Sequence, residues 1–152
     1  MTFYFPYAGN KRNELKYIEK LINLDLYDNI VEPFGGSCSF SRYIYEKDNS
    51  KNFYISDINN ELVYFCNNFY KNKDDIIKEC LHSINDINTK EEYNNLIKNL
   101  KKYDLKDYLI YQTYYRLRKG FFPIDNRKPK YIDYNKKTDK IDLFFKNIKY
   151  EN

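Results

Sequence analysis

A strand that cannot continue, a pair of glycines and a helix succeed one another in Asn29-Ile30-Val31-Glu32-Pro33-Phe34-Gly35-Gly36-Ser37-Cys38-Ser39-Phe40. Residues 29–32 read as a short apolar strand, and Pro33 ends it because proline has no N–H to give a sheet. Gly35 and Gly36 permit a sharp turn, after which Ser39 to Glu46 reads as a helix with Phe40, Tyr43 and Ile44 inward. Such a turn lets backbone approach a ligand closely at the carboxyl end of the strand. The run has neither G-x-G-x-x-G spacing nor the Lys-Ser/Thr of a phosphate-binding P-loop.

The pattern then repeats. Phe53-Tyr54-Ile55-Ser56 is a second strand ending at Asp57. Asn59 to Tyr70 follows as a helix with Leu62, Phe65, Cys66 and Phe69 at i, i+3, i+4 and i+7. Glu14 to Asn23, with Leu15, Ile18, Leu21 and Ile22 on one face, is a helix ahead of both units. Strand–turn–helix twice over is the rhythm of a parallel α/β sheet. An acid about 20 residues past a glycine turn commonly accepts hydrogen bonds from ribose hydroxyls. Asp57 stands there, and it is equally placed to cap the helix beginning near Asn59. Tyr7-Ala8-Gly9-Asn10-Lys11 sets a small turn directly before a helix, presenting backbone N–H groups and a lysine to an anionic or carbonyl-like group.

Downstream the chain turns helical: Asp74 to Ile84, a capping box at Thr89-x-x-Glu92 with Tyr93, Leu96, Ile97 and Leu100 as its buried stripe, and Lys106 to Lys119. Gly120 ends the last of these, and Phe121 to Lys130 reads as a loop or hairpin punctuated by Pro123 and Pro129. Thr138 to Lys146 is a closing helix, and Ile148-Lys149-Tyr150 a further strand. The 18 Tyr and 11 Phe are no nucleic-acid signal, because many of the tyrosines are expected to do the core work of Leu and Phe. A net charge of +4 permits phosphate binding without arguing for it. Cys38, Cys66 and Cys80 form no CxxC pair, and with the lone His82 they make neither a disulfide framework nor a metal site. The expected setting is a reduced, cytoplasmic one: the start lacks the basic and apolar segments of a signal peptide, and no apolar run reaches the ~18 residues of a membrane span.

YAGNK, VEPFGGSCSF and YISDINNEL, in this order and spacing, resemble the opening of Dam-type DNA adenine-N6 methyltransferases, and the likeness is good over residues 4–70. The resemblance implies a Rossmann-like α/β fold with S-adenosylmethionine as cofactor. It implies that Tyr7, Ala8, Gly9, Asn10 and Lys11 lie against that cofactor, Lys11 near its aminoacyl end or the catalytic pocket. It also implies that Glu32, Pro33, Phe34, Gly35, Gly36 and Ser37 wrap the methionine part, and that Asp57 takes the ribose hydroxyls with Ile58 beside the adenine. Ser37-Cys38 stands where many members carry Gly or Ala. Residues 1–71 then form the cofactor-binding half, 72–134 a helical target-recognition insertion, and 135–152 a return to the α/β core. Within the insertion, Arg116, Arg118, Lys119, Phe121, Phe122, Arg127, Lys128 and Lys130 fall where the resemblance implies contact with double-stranded DNA. A solvated basic loop with both phenylalanines folded inward is the other reading.

Adenine-N6 methylation needs Asp/Asn-Pro-Pro-Tyr/Phe, whose acid and prolyl carbonyl hold the target amine while the aromatic ring stacks on the flipped base. The four prolines here, Pro6, Pro33, Pro123 and Pro129, are never adjacent and never follow Asp or Asn. No catalytic residue is therefore expected in this chain. An incomplete parallel sheet with an open apolar edge is expected instead, completed by a second polypeptide that carries the motif. The alternatives are a non-catalytic cofactor- or DNA-binding regulatory subunit, a truncated inactive remnant, or an accessory to an RNA or protein methyltransferase.

Overall fold

A computed structural model describes the backbone of residues 4–5, 7–116 and 139–152, and their side chains except at 114–116. In chain order it contains α1 (Leu15–Leu21), β1 (Asn29–Glu32), α2 (Ser39–Lys47), β2 (Asn52–Ser56), α3 (Asn60–Asn68), α4 (Lys73–Asn85), α5 (Lys90–Lys98), α6 (Leu105–Ile110), a π-helical turn (Tyr111–Arg116), α7 (Asp139–Asn147) and β3 (Tyr150–Glu151). The sheet is parallel with order β1-β2-β3. Its strands advance in one direction, and right-handed crossovers of that kind put their helices on one face. Accordingly α2 packs on β1 and α7, and α3 packs on β3, α6 and α7.

That winding decides which strand residues are buried. Ile30 and Ile55 point into the core, while Val31 and Tyr54, register partners on the other face, are 65% and 58% exposed. The core beneath the covered face is largely aromatic. Tyr4 meets Phe69 edge-on at 4.7 Å, and Phe65 stacks on Phe69 at 4.5 Å. Tyr45, Tyr93, Tyr108 and Tyr150 are buried too, so tyrosine does take core positions. The Tyr4 hydroxyl donates to Asp142 Oδ1 (3.1 Å), and Lys73 pairs with the same carboxylate, pinning the N-terminal segment and α4 to α7.

Helix ends follow the local chemistry. Asn59 caps α3 by accepting from the Leu62 N–H, and the Thr89–Glu92 capping box forms at α5. Three expectations are corrected. The first helix stops at Leu21, which is 85% exposed, and Ile22 is also exposed: among the described residues that side is not packed against the core. The buried face of α2 is Ser41, Arg42, Ile44 and Tyr45, with Phe40 and Tyr43 only half-buried. Hydrophobicity points to the aromatics, but the face of α2 turned toward β1 and α7 carries Arg42 inward instead. The helix expected from Lys106 to Lys119 is α-helical only to Ile110 and then widens into the π-turn; residues 117–138 lie outside the described residues.

The two edges of the sheet differ. On the outer side of β3, Asn67 of α3 donates through Nδ2 to the Tyr150 carbonyl (2.6 Å) and accepts from the Tyr150 N–H at Oδ1 (3.1 Å). A side-chain amide thus takes the place of a further strand. Along β1 no strand pairs on the far edge among the described residues.

Candidate cofactor-binding site

The N-terminal turn closes with the Asn10 N–H on the Tyr7 carbonyl (3.3 Å), and Gly9 has φ +79°. A β-carbon on Gly9 would touch nothing within 4 Å, so glycine is required there for its backbone angle. Lys11 reaches forward to Glu14 (3.3 Å) at the mouth of the turn. Asn10 Oδ1 accepts the Arg12 N–H (2.8 Å) and the Ser39 hydroxyl (2.8 Å), and the Ser37 and Ser39 hydroxyls lie 2.7 Å apart. Ser39 has one hydroxyl proton and gives it to Asn10, so Ser37 is the donor to Ser39.

The glycine turn is held from several sides. The Gly35 N–H donates to the Ser56 carbonyl and the Gly36 N–H to Asp57 Oδ2, both at 2.9 Å, while the Tyr150 hydroxyl reaches the Gly36 carbonyl at 3.3 Å. A β-carbon on Gly35 would lie 2.7 Å from both Ile55 Cγ2 and the Tyr150 hydroxyl. The space freed by Gly35 is therefore filled by the protein's own core. Gly36 (φ +51°) lies under the Tyr7 ring, and Cys38 (φ 52°) repeats the left-handed conformation just before α2. Cys38 offers α2 no side-chain cap. Glu32 supplies one instead, its Oε2 accepting the Ser41 N–H (3.0 Å) in the first turn of the helix.

Asn59, not Asp57, caps α3, and both oxygens of Asp57 are engaged by nearby backbone. Oδ1 accepts the Asn59 N–H (2.9 Å) ahead of α3, while Oδ2 holds the glycine turn. Each oxygen keeps a lone pair for a further donor. Burial pushes the Glu32 carboxyl above its usual range, opposed by its hydrogen bonds to Ser41 and the positive charge of Arg42. Burial also drives the Cys38 and Cys66 thiols well upward, which keeps them protonated and unreactive.

These three segments enclose one cleft of 260 Å³ at the carboxyl ends of β1 and β2. Tyr7, Ala8, Gly9, Asn10, Lys11, Glu32, Phe34, Gly35, Gly36, Ser37 and Asp57 all line it. Of the residues singled out in the sequence, Pro33 and Ile58 do not. Phe34 and Ile58 are 85% and 93% exposed, leaving two large apolar side chains in the open near the cleft. Sequence reading missed two contributors. Ser39 lines the cleft, and its signal was the Ser-Cys-Ser run at a helix start. Tyr150 supports the turn from β3, a contact across 114 residues with no local signal. Of the basic and aromatic residues assigned to DNA, Arg116 closes the π-turn, and Arg118, Lys119, Phe121, Phe122, Arg127, Lys128 and Lys130 lie outside the described residues. Among the described residues no His, Cys, Asp and Glu gather into a metal-binding group, and no helix is long and apolar enough to cross a membrane.

A three-stranded parallel sheet with helices, and a cleft at the strands' carboxyl ends walled by a glycine turn and an acid from the next strand, make an α/β domain consistent with a Rossmann-like fold. The chain belongs to the D12 class N6 adenine-specific DNA methyltransferases, whose family profile matches residues 7–152. No curated protein and no solved structure matches it.

Proposed function

We propose that this chain is the S-adenosylmethionine-binding and DNA-recognition part of an adenine-N6 DNA methyltransferase, and that a second polypeptide contributes the Asp-Pro-Pro-Tyr motif. The observation that carries the cofactor reading is that Tyr7–Lys11, the glycine turn and Asp57 line one and the same cleft. Its charges suit the donor: Glu32 and Asp57 set two carboxylates against a ligand bearing an ammonium and a sulfonium, and Lys11 offers a partner for the ligand carboxylate. Asp57, with lone pairs to spare, accepts from ribose hydroxyls, and exposed Ile58 offers an apolar surface to adenine. When bound, the donor supplies a methyl group activated by its sulfonium. The chain's own residues bind and orient it, and 72–134 with the basic loop engage DNA.

Two features support a second polypeptide. The far edge of β1, beside the cleft, is unpaired among the described residues, and Val31 and Tyr54 leave the adjoining sheet face uncovered. Parallel sheets are ordinarily covered on both faces. Isothermal calorimetry with S-adenosylmethionine tests the first claim, and absence of binding refutes it. Methylation of adenine-containing duplex DNA, assayed with and without a co-expressed chain carrying Asp-Pro-Pro-Tyr, tests the second. Robust methyl transfer by these 152 residues alone refutes that one.

A further inference from the structure

The strap Tyr7–Lys11 and the glycine turn are far apart in sequence, and one side chain joins them directly. Asn10 Oδ1 accepts from the Arg12 N–H within its own segment and from Ser39, the first residue of α2. The Arg12 contact fixes which end of the amide is oxygen, because only an acceptor can take an N–H. The Ser37 hydroxyl then donates to Ser39, so a line of hydrogen bonds runs from the strap into the turn. Ser37 and Ser39 are buried, at 3% and 4% exposure, so water competes little for these bonds. Tyr7 lies at the other end of the strap, its Cε1 within 3.0 Å of where a Gly36 β-carbon would stand.

We infer that Asn10 and Ser39 are positioning residues: together they latch the strap onto the start of α2, holding Tyr7 over Gly36 and completing one wall of the cofactor cleft. The inference rests on the cofactor reading above for its effect on binding, but the latch itself concerns the free protein. With it closed, Tyr7, Lys11 and Gly36 face a ligand in a fixed arrangement. With it open, the ligand must order the strap on binding, and that ordering weakens affinity. The strap carries its own reporter, since exposed Lys11 and Arg12 are trypsin sites.

The test uses N10G, S39A and the double variant in the full chain, with thermal unfolding to confirm that each folds. Limited trypsinolysis read by mass spectrometry should show faster cleavage after Lys11 and Arg12 in both single variants, with other sites unchanged. Calorimetry with S-adenosylhomocysteine should show each single variant binding about 5- to 10-fold more weakly, the equivalent of one hydrogen bond of roughly 1 kcal/mol. The double variant should lose less than the product of the two single losses, because both cut the Asn10–Ser39 bond while each also removes one bond of its own. Losses that multiply, or strap cleavage at the wild-type rate, overturn the latch. Strap cleavage that rises as expected in a chain that binds no S-adenosylhomocysteine sustains the latch and overturns the cofactor reading.

Discussion

Asp57 Oδ2 lies 2.9 Å from the Gly36 nitrogen, so the acid that ends the second strand holds the glycine turn that follows the first. Its other oxygen takes the Asn59 N–H. One carboxylate therefore fixes the turn and the backbone just ahead of α3, with a lone pair left on each oxygen. D57N retains a carbonyl for one of these bonds and loses charge at both. Hydrogen bonds to a charged group contribute about 1.5–3 kcal/mol, so the expected loss in S-adenosylhomocysteine affinity is roughly 10- to 100-fold. Calorimetry on D57N checks it, and unaltered affinity would remove Asp57 from the site.

Gly35 predicts a stability effect. Alanine there drives a β-carbon against Ile55 and the Tyr150 hydroxyl, and overpacking a tight core costs about 1–3 kcal/mol. The same substitution in a Y150F background should cost less, since one clashing atom is gone. Urea unfolding of the four proteins measures the coupling, and equal penalties in the two backgrounds would contradict the packing account.

Glu32 predicts a pH dependence. Its carboxyl is raised in the folded chain, so the folded state holds the proton more tightly than the unfolded one. Stability associated with this group is present below the ordinary value of 4.5 and is lost as pH rises through the raised one. E32Q keeps an acceptor for the Ser41 N–H and has no proton to lose. The wild type should therefore weaken relative to E32Q as pH rises above 4.5, as followed by thermal unfolding at increasing pH. Binding of a cationic ligand should run the opposite way, strengthening over the same interval as the carboxylate forms.

Asn67 predicts an edge effect. N67L removes both partners of the outward-facing Tyr150 backbone and leaves a bare strand edge. The expected cost is about 1–3 kcal/mol with a greater tendency to self-associate. Denaturant unfolding and light scattering read the two consequences separately.

The local grammar of the chain was legible at once. The strand broken by Pro33, the glycine turn, the Thr89 capping box and the buried Leu62/Phe65/Cys66/Phe69 stripe each depend on residues within one or two helical turns of each other, and each formed as read. The cleft was legible because its residues cluster in three short runs at the ends of elements whose order fixes where those ends meet. Other features had no local signature. Arg42 is buried on α2, and just ahead of that helix Gly36 and Cys38 both have left-handed backbone angles, which cysteine does not announce.

What periodicity and turn chemistry settled was therefore the order and kind of most elements, since these follow from backbone angles and from side chains that recur along a single segment, while the grouping of the three runs around one ligand was implied by the family resemblance. Which face of the sheet was covered, which edge Asn67 sealed, that Gly35 makes room for Tyr150, and that Asn10 reaches Ser39 came from packing. These contacts join segments up to 114 residues apart, and their energy exists only once the sheet has brought those segments together.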